Sequence, residues 1–204
     1  MEGKRRAAAE TRAHVLQVAR DLFYENGIRA TGVDKVAAEA GVAPTTLYRL
    51  FASKDDLVAA YLDREDQHYR EWFSAAADPG LEPRDRILAV FDALAEQVRP
   101  DVCRGCPFLI ALGELPDRDL ASHKRAVAMK GWVRGRFADL VDELGKTVPL
   151  ADPAILADQL MLVMEGVYAT VQAFGANGPA ARARDLVELL VPQPVVTDRT
   201  SRKS

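Results

Sequence analysis

Five side chains close together in the sequence, Thr45, Thr46, Tyr48, Arg49 and Lys54, carry the polar chemistry that stands out in this chain. The hydroxyls of Thr and Tyr and the guanidinium of Arg suit phosphate oxygens and the edges of bases. Lys54 falls in the first turn of a helix, where its charge opposes the local dipole unless a phosphate shares the site. That is the chemistry of recognition, not of bond-making. His14, His68 and His123 are isolated, and no H-E-x-x-H, G-x-S-x-G, P-loop or G-x-G-x-x-G occurs. No catalytic residue, metal ligand set or cofactor is therefore expected, and the chain does not read as an enzyme.

Side chains of this kind need a scaffold that holds one short helix out to solvent. The stretch 31–56, TGVDKVAAEAGVAPTTLYRLFASKDD, has the spacing of one. Thr31-Gly-Val-Asp34 has the form of a capping box, with Thr31 capping and Asp34 reaching back. Val36, Ala37 and Ala40 face inward, and Gly41 ends that helix where a left-handed residue is cheap only for glycine. Pro44 suits the first turn of the next helix, because its missing N–H is not needed there. Ser53-Lys-Asp-Asp56 is a second capping box and opens a long helix. Two short helices about a glycine turn form a helix-turn-helix, whose second helix enters a DNA groove. Val36, Val42, Leu47 and Phe51 are then the residues to bury, and Thr45, Thr46, Tyr48 and Arg49 are left facing outward.

The order VAAEAGVAPTTLYRLFASKDDL within Thr31–Leu57 resembles the TetR family of bacterial transcriptional regulators, whose members run V-A-x-x-A-G-V-S-x-x-T-L-Y-x-x-F-x-S-K-x-x-L. In motif the resemblance covers about residues 11–58; in architecture it covers the chain. It implies an N-terminal DNA-binding head over 1–53 and a helical ligand-binding and dimerisation domain over 54–192. It implies a phosphate contact for Thr31, and base and phosphate contacts where Pro44, Thr45 and Thr46 open the recognition helix. Tyr48 takes the place of a phosphate-binding tyrosine, Arg49 that of a base or backbone contact, and Lys54 that of a lysine gripping a phosphate. Ala43 departs from the pattern, which often has Ser there, so a cap hydroxyl is lost and Pro44 only partly offsets it. Lys4, Arg5, Arg6 and Arg12 form either a minor-groove arm or a solvated tail. Family members bind palindromic operator DNA as homodimers, mostly as repressors, and a small-molecule effector releases them. They build the dimer from their last two long helices, here Asp152–Phe174 and Ala180–Val191.

Behind the head the pattern stays helical, with breaks at Asp78-Pro-Gly, Arg99–Pro107, Pro149–Pro153 and Gly175–Pro179. The expected fold is all-α with about nine helices: a three-helix head and a helical body. Residues 193–204 are expected to be a disordered tail. Aromatic and Met residues of the middle helices are the candidates for lining an effector pocket: Trp72, Phe91, Phe108, Trp132, Met161 and Tyr168, each of which also suits ordinary core. Glu165, set among Met161, Met164 and Tyr168, is costly if buried unpaired. It would meet a cationic or hydroxylated ligand, or an Arg of a partner chain.

Cys103-Arg-Gly-Cys106 lacks the further ligands of a zinc site and the βαβ setting of a thioredoxin-type pair. Cys106 precedes Pro107 and a short helix, where a thiolate is favoured. The R-G-C-P-F-L run resembles one in a branch of the family in which the second cysteine is usual. Two roles stand open for Cys103 and Cys106: structural or pocket-lining, and redox- or electrophile-responsive.

Composition bounds the rest. The 204 residues are 49% apolar, enough for a core, and the apolar runs fall short of the ~18 residues of a membrane span. Neither a membrane partner nor a secretory leader is expected, which points to the cytoplasm. Net charge is −3, but unevenly placed. Residues 1–54 hold nine Lys and Arg against six Asp and Glu, whereas the remainder holds eighteen against twenty-four. A basic head on an acidic body suits a DNA-reading head on a body with another task.

Overall fold

The computed structural model describes residues 2–98, 103–175 and 177–193. Among them are nine α-helices, one 3-10 turn and no strand, as expected of the all-α class. The helices are α1 (Glu2–Asn26), α2 (Val33–Glu39), α3 (Pro44–Leu50), α4 (Lys54–Ala76), α5 (Pro83–Gln97), α6 (Pro107–Glu114), α7 (Ala121–Gly145), α8 (Pro153–Phe174) and α9 (Ala183–Leu190), with the 3-10 turn at Pro179–Arg182. They fall into two compact units, Met1–Trp72 with Arg104–Gly131, and Phe73–Cys103 with Trp132–Ser204. Two of the three cuts lie inside α4 and α7, and the third falls between Cys103 and Arg104, ahead of α6. The expected tail lies outside the described residues from position 194 onward.

In the first unit α1 buries Val15, Leu16, Ala19 and Phe23 along one face and stops at Gly27, whose φ is 90°. α2 buries Val36 and Ala37 and closes as its sequence suggests. Gly41 (φ 64°) donates its N–H to the Ala38 carbonyl at 3.1 Å, and Val42 donates to Ala37 at 3.0 Å. Those two bonds are the paired closure of a Schellman motif. α4 is capped by Ser53, whose Oγ accepts from the Asp56 N–H at 3.0 Å and donates to Asp56 Oδ2 at 2.9 Å. The neighbouring Asp55 carboxylate accepts from the N–H groups of Ala121 at 2.8 Å and Ser122 at 3.1 Å. A residue of α4 thus caps the first turn of α7, where a negative charge meets the favourable end of the dipole.

Two expectations for the head need correction. The N-cap of α2 is Gly32, with extended backbone and no side-chain cap bond. Thr31 is fully buried, and its hydroxyl is shared between the Gly27 carbonyl at 2.8 Å and the Leu22 carbonyl at 3.2 Å. Turned back toward the end of α1, it cannot also cap α2. The basic N-terminal segment, expected as either a minor-groove arm or a solvated tail, is instead helix from Glu2. Arg6 pairs with Glu10 one turn on, and the Arg12 guanidinium lies 4.7 Å from the centre of the Phe51 ring.

The second unit packs Phe73, Phe91, Trp132 and Phe137 together. Phe73 meets Trp132 and Phe137 edge-on at 5.6 and 5.5 Å between centroids, and Phe91 stacks on Phe137 at 5.8 Å. Arg86 is buried in the same unit, paired with Glu143 and donating Nε to the Ala77 carbonyl at 3.3 Å. Such a buried charge is tolerable only with these partners. Asp152 caps α8 by accepting from Ala154 and Ile155. α8 is long and apolar enough to span a membrane by length and composition alone, although Asp158 and Glu165 interrupt its apolar run. It instead buries Leu156, Leu160, Met164, Val167 and Val171 in its own unit, while Asp158 pairs with Arg134.

Candidate nucleic-acid interface

The head presents α3 by burying one side of it. Leu47 is fully buried and Phe51, just past the helix, nearly so. Pro44, Thr45, Tyr48 and Arg49 are exposed, and Thr46 is half-buried. At about 100° per residue, the direction opposite Leu47 falls between Thr45 and Arg49, with Tyr48 and Thr46 to either side. Ala43 is the N-cap and makes no side-chain cap bond, so Pro44 at the first helical position carries the start alone.

Lys54 opens α4 and points to the loop between α1 and α2, where Nζ donates to the Arg29 carbonyl at 3.3 Å. The N–H of Arg29 donates in turn to Glu114 at the end of α6, at 2.6 Å. Partial burial holds the Lys54 pKa below the ordinary lysine value; Glu114 opposes that shift and Arg29 adds to it. Thr31, expected at a phosphate, has no exposed surface, so the structure removes it from the contact face and gives it the task of closing the loop.

The pocket candidates divide between the two units. Trp72 and Phe108 belong to the first; Phe91, Trp132, Met161, Glu165 and Tyr168 belong to the second. Trp72 is half-buried with its ring 5.1 Å from that of Tyr69, and Phe108 is buried in α6. Tyr168 donates its hydroxyl to Gln97 Oε1 at 3.0 Å. Met161 is half-buried on α8, and Glu165 keeps one carboxylate oxygen out of solvent.

Cys103 and Cys106 form no disulfide and fall in different units. Cys106 is buried and is the N-cap of α6. Lys130 of α7 donates Nζ to its sulfur at 3.1 Å, a neighbour that favours the thiolate. The turn before it is held by Tyr24, whose hydroxyl donates to the Gly105 carbonyl at 3.0 Å and accepts from the Arg104 N–H at 2.9 Å. Sequence reasoning missed Lys130, Tyr24 and Glu114, which meet their partners across long stretches of chain. It also missed Asp66, whose Oδ1 is buried without a hydrogen-bond partner while Oδ2 accepts from Arg70. A signal existed there: Asp66 lies four residues after Leu62 and three before Tyr69, both buried.

Residues 15–61 match the family described as bacterial regulatory proteins, tetR family, and residues 83–187 match the tetracyclin repressor-like C-terminal domain. The HTH-type transcriptional repressor KstR2 of Mycobacterium tuberculosis is 34% identical over 87 residues, 41% of this chain and 44% of its own length. The match therefore spans less than half of that relative. The HTH-type transcriptional regulator YjdC of Escherichia coli is 29% identical over 178 residues, covering 87% of this chain and 91% of its own. The crystal structure of a TetR-family transcriptional regulator from Streptomyces coelicolor aligns with a TM-score of 0.83 at 31% identity, over 90% of this chain and 95% of that one. With a helix-turn-helix at its head, a helical body behind it and both halves matched, the chain belongs to the TetR family of bacterial transcriptional regulators.

Proposed function

We propose that this regulator is a repressor that binds a palindromic operator as a homodimer and is released by a small-molecule effector. The observation that carries the reading is α3: Thr45 and Arg49 stand exposed opposite the fully buried Leu47, with exposed Tyr48 beside them. Thr45, Thr46 and Arg49 then meet bases and phosphates, and Tyr48 and Lys54 meet the backbone. Residues 1–53 act as the head and 54–192 as the body that holds the effector and the partner. Exposed Leu162 and Phe174 on α8 and Leu186 and Leu189 on α9 support the partner's place. Occupation of operator DNA excludes polymerase, and KstR2 is named a repressor. The effector acts by binding the DNA-free arrangement better than the DNA-bound one. Phe91, Trp132, Met161, Glu165 and Tyr168, all of the second unit, are the residues proposed to meet it. The test is a binding assay of the purified chain on its own promoter region. Salt-sensitive preference over random duplex at physiological salt supports the reading, and equal affinity for both refutes it.

The Lys130–Cys106 contact favours a second reading, in which oxidation or alkylation of the thiol releases DNA. Cys106→Ser separates the two. A ligand-gated repressor carrying it still releases the operator with its inducer, whereas a thiol-gated one holds on under oxidant.

A further inference from the structure

We infer that Arg49 is the base-reading residue of α3, and that each operator half-site carries a G·C pair specified by its guanidinium. This rests on the reading above, that α3 enters the major groove. With Leu47 buried, the side chains aimed at the groove floor are Thr45 and Arg49, one turn apart, while Tyr48 and Thr46 flank them toward the phosphate walls. A Thr hydroxyl serves any base, so Thr45 discriminates weakly. α3 holds no Asn or Gln, the side chains that pick out adenine, and no Asp or Glu, which accept from cytosine. The guanidinium remains, and its planar fork matches O6 and N7 of guanine.

Arg49 is also available. It is exposed, and among the described residues it makes no ion pair or side-chain hydrogen bond. Three arginines of the head are committed elsewhere: Arg20 to Glu65 at 2.7 Å, Arg12 over Phe51, Arg6 to Glu10. Its place in the last turn is no obstacle. A helix of seven residues is roughly 10 Å long, so a side chain as long as arginine's reaches the floor from either end.

The test is in vitro selection from a random duplex library with the full-length chain, run in parallel for wild type, Arg49→Ala, Arg49→Lys and Lys54→Ala, each checked for helical content. Wild type is expected to enrich a palindrome with a fixed G·C pair in each half-site. Arg49→Ala should lose discrimination at that pair by about 10- to 100-fold and keep the rest of the palindrome. Arg49→Lys, charged but without the fork, should recover affinity more than discrimination. Lys54→Ala should weaken every sequence alike. Replacing the guanine by 7-deazaguanine, which lacks N7, should weaken wild type about tenfold and leave Arg49→Ala unmoved. A wild-type selection that yields no palindrome overturns the operator reading itself. A palindrome whose bases wild type and Arg49→Ala choose alike, or a 7-deazaguanine effect equal in both, overturns only the assignment to Arg49.

Discussion

Lys54 is the residue whose charge is most bound up with its proposed task. Its pKa is held below the ordinary lysine value, chiefly by burial against the loop that carries Arg29, with Glu114 opposing the shift. A phosphate brought to the same place favours the charged form and raises that pKa. Between the depressed value of the free protein and the raised value of the complex, binding takes up a proton. Operator affinity should therefore fall as pH rises through the free-protein pKa, before the ordinary lysine range is reached. Lys54→Arg keeps its charge over that range and should flatten the alkaline fall. Operator titrations over a pH series check this, and a parallel loss in wild type and Lys54→Arg would assign the effect to another group.

At the scale of the element, α2 and α3 are seven residues each, far below the length at which a helix holds itself together in water. Their boundaries and their burial do the holding. Gly41→Ala puts a side chain at φ 64°, which costs about 1–2 kcal/mol although an added Cβ meets nothing within 4 Å. Thermal unfolding should show a drop of a few degrees with operator contacts unaltered. Ala43→Ser gives α3 the cap hydroxyl it lacks and should contribute about 0.5–1 kcal/mol, with a matching rise in Tm. An unchanged Tm would mean that Pro44 already sets the first turn. These boundaries were legible in the sequence because glycine, proline and a capping serine act through local geometry. Thr31 was not, because its hydroxyl had two local choices and burial of the loop decided for the end of α1. Lys130 with Cys106, Asp55 with Ser122 and Glu114 with Arg29 lie 24, 67 and 85 residues apart, and no periodicity announces such pairs.

For the whole molecule the question is what covers the outer face of α8 and α9. The buried side of α8 runs through Leu156, Leu160, Met164 and Val171; the opposite side carries Ile155, Leu162 and Ala173, with Gly166 between. Leu162 is 70% exposed and Leu189 on α9 is 84% exposed, unusual for leucines on helices whose other faces are core. Gly166 leaves room, since nothing lies within 4 Å of an added Cβ there, so another helix can approach closely. On the proposed homodimer, a second copy seated on this face would supply the second α3 that a palindrome with half-sites roughly 34–36 Å apart requires. Leu162→Glu combined with Leu189→Glu puts like charges across such a face while leaving each chain's own core intact. Sedimentation should show the wild type as a dimer and the double variant as a monomer of unchanged helical content. Because one head alone forfeits the tethering of the other, operator affinity should fall by about 100-fold or more, while non-specific binding per chain changes little. A double variant that remains dimeric would place the interface elsewhere. One that is monomeric yet binds the operator undiminished would break the link between this face and the palindrome.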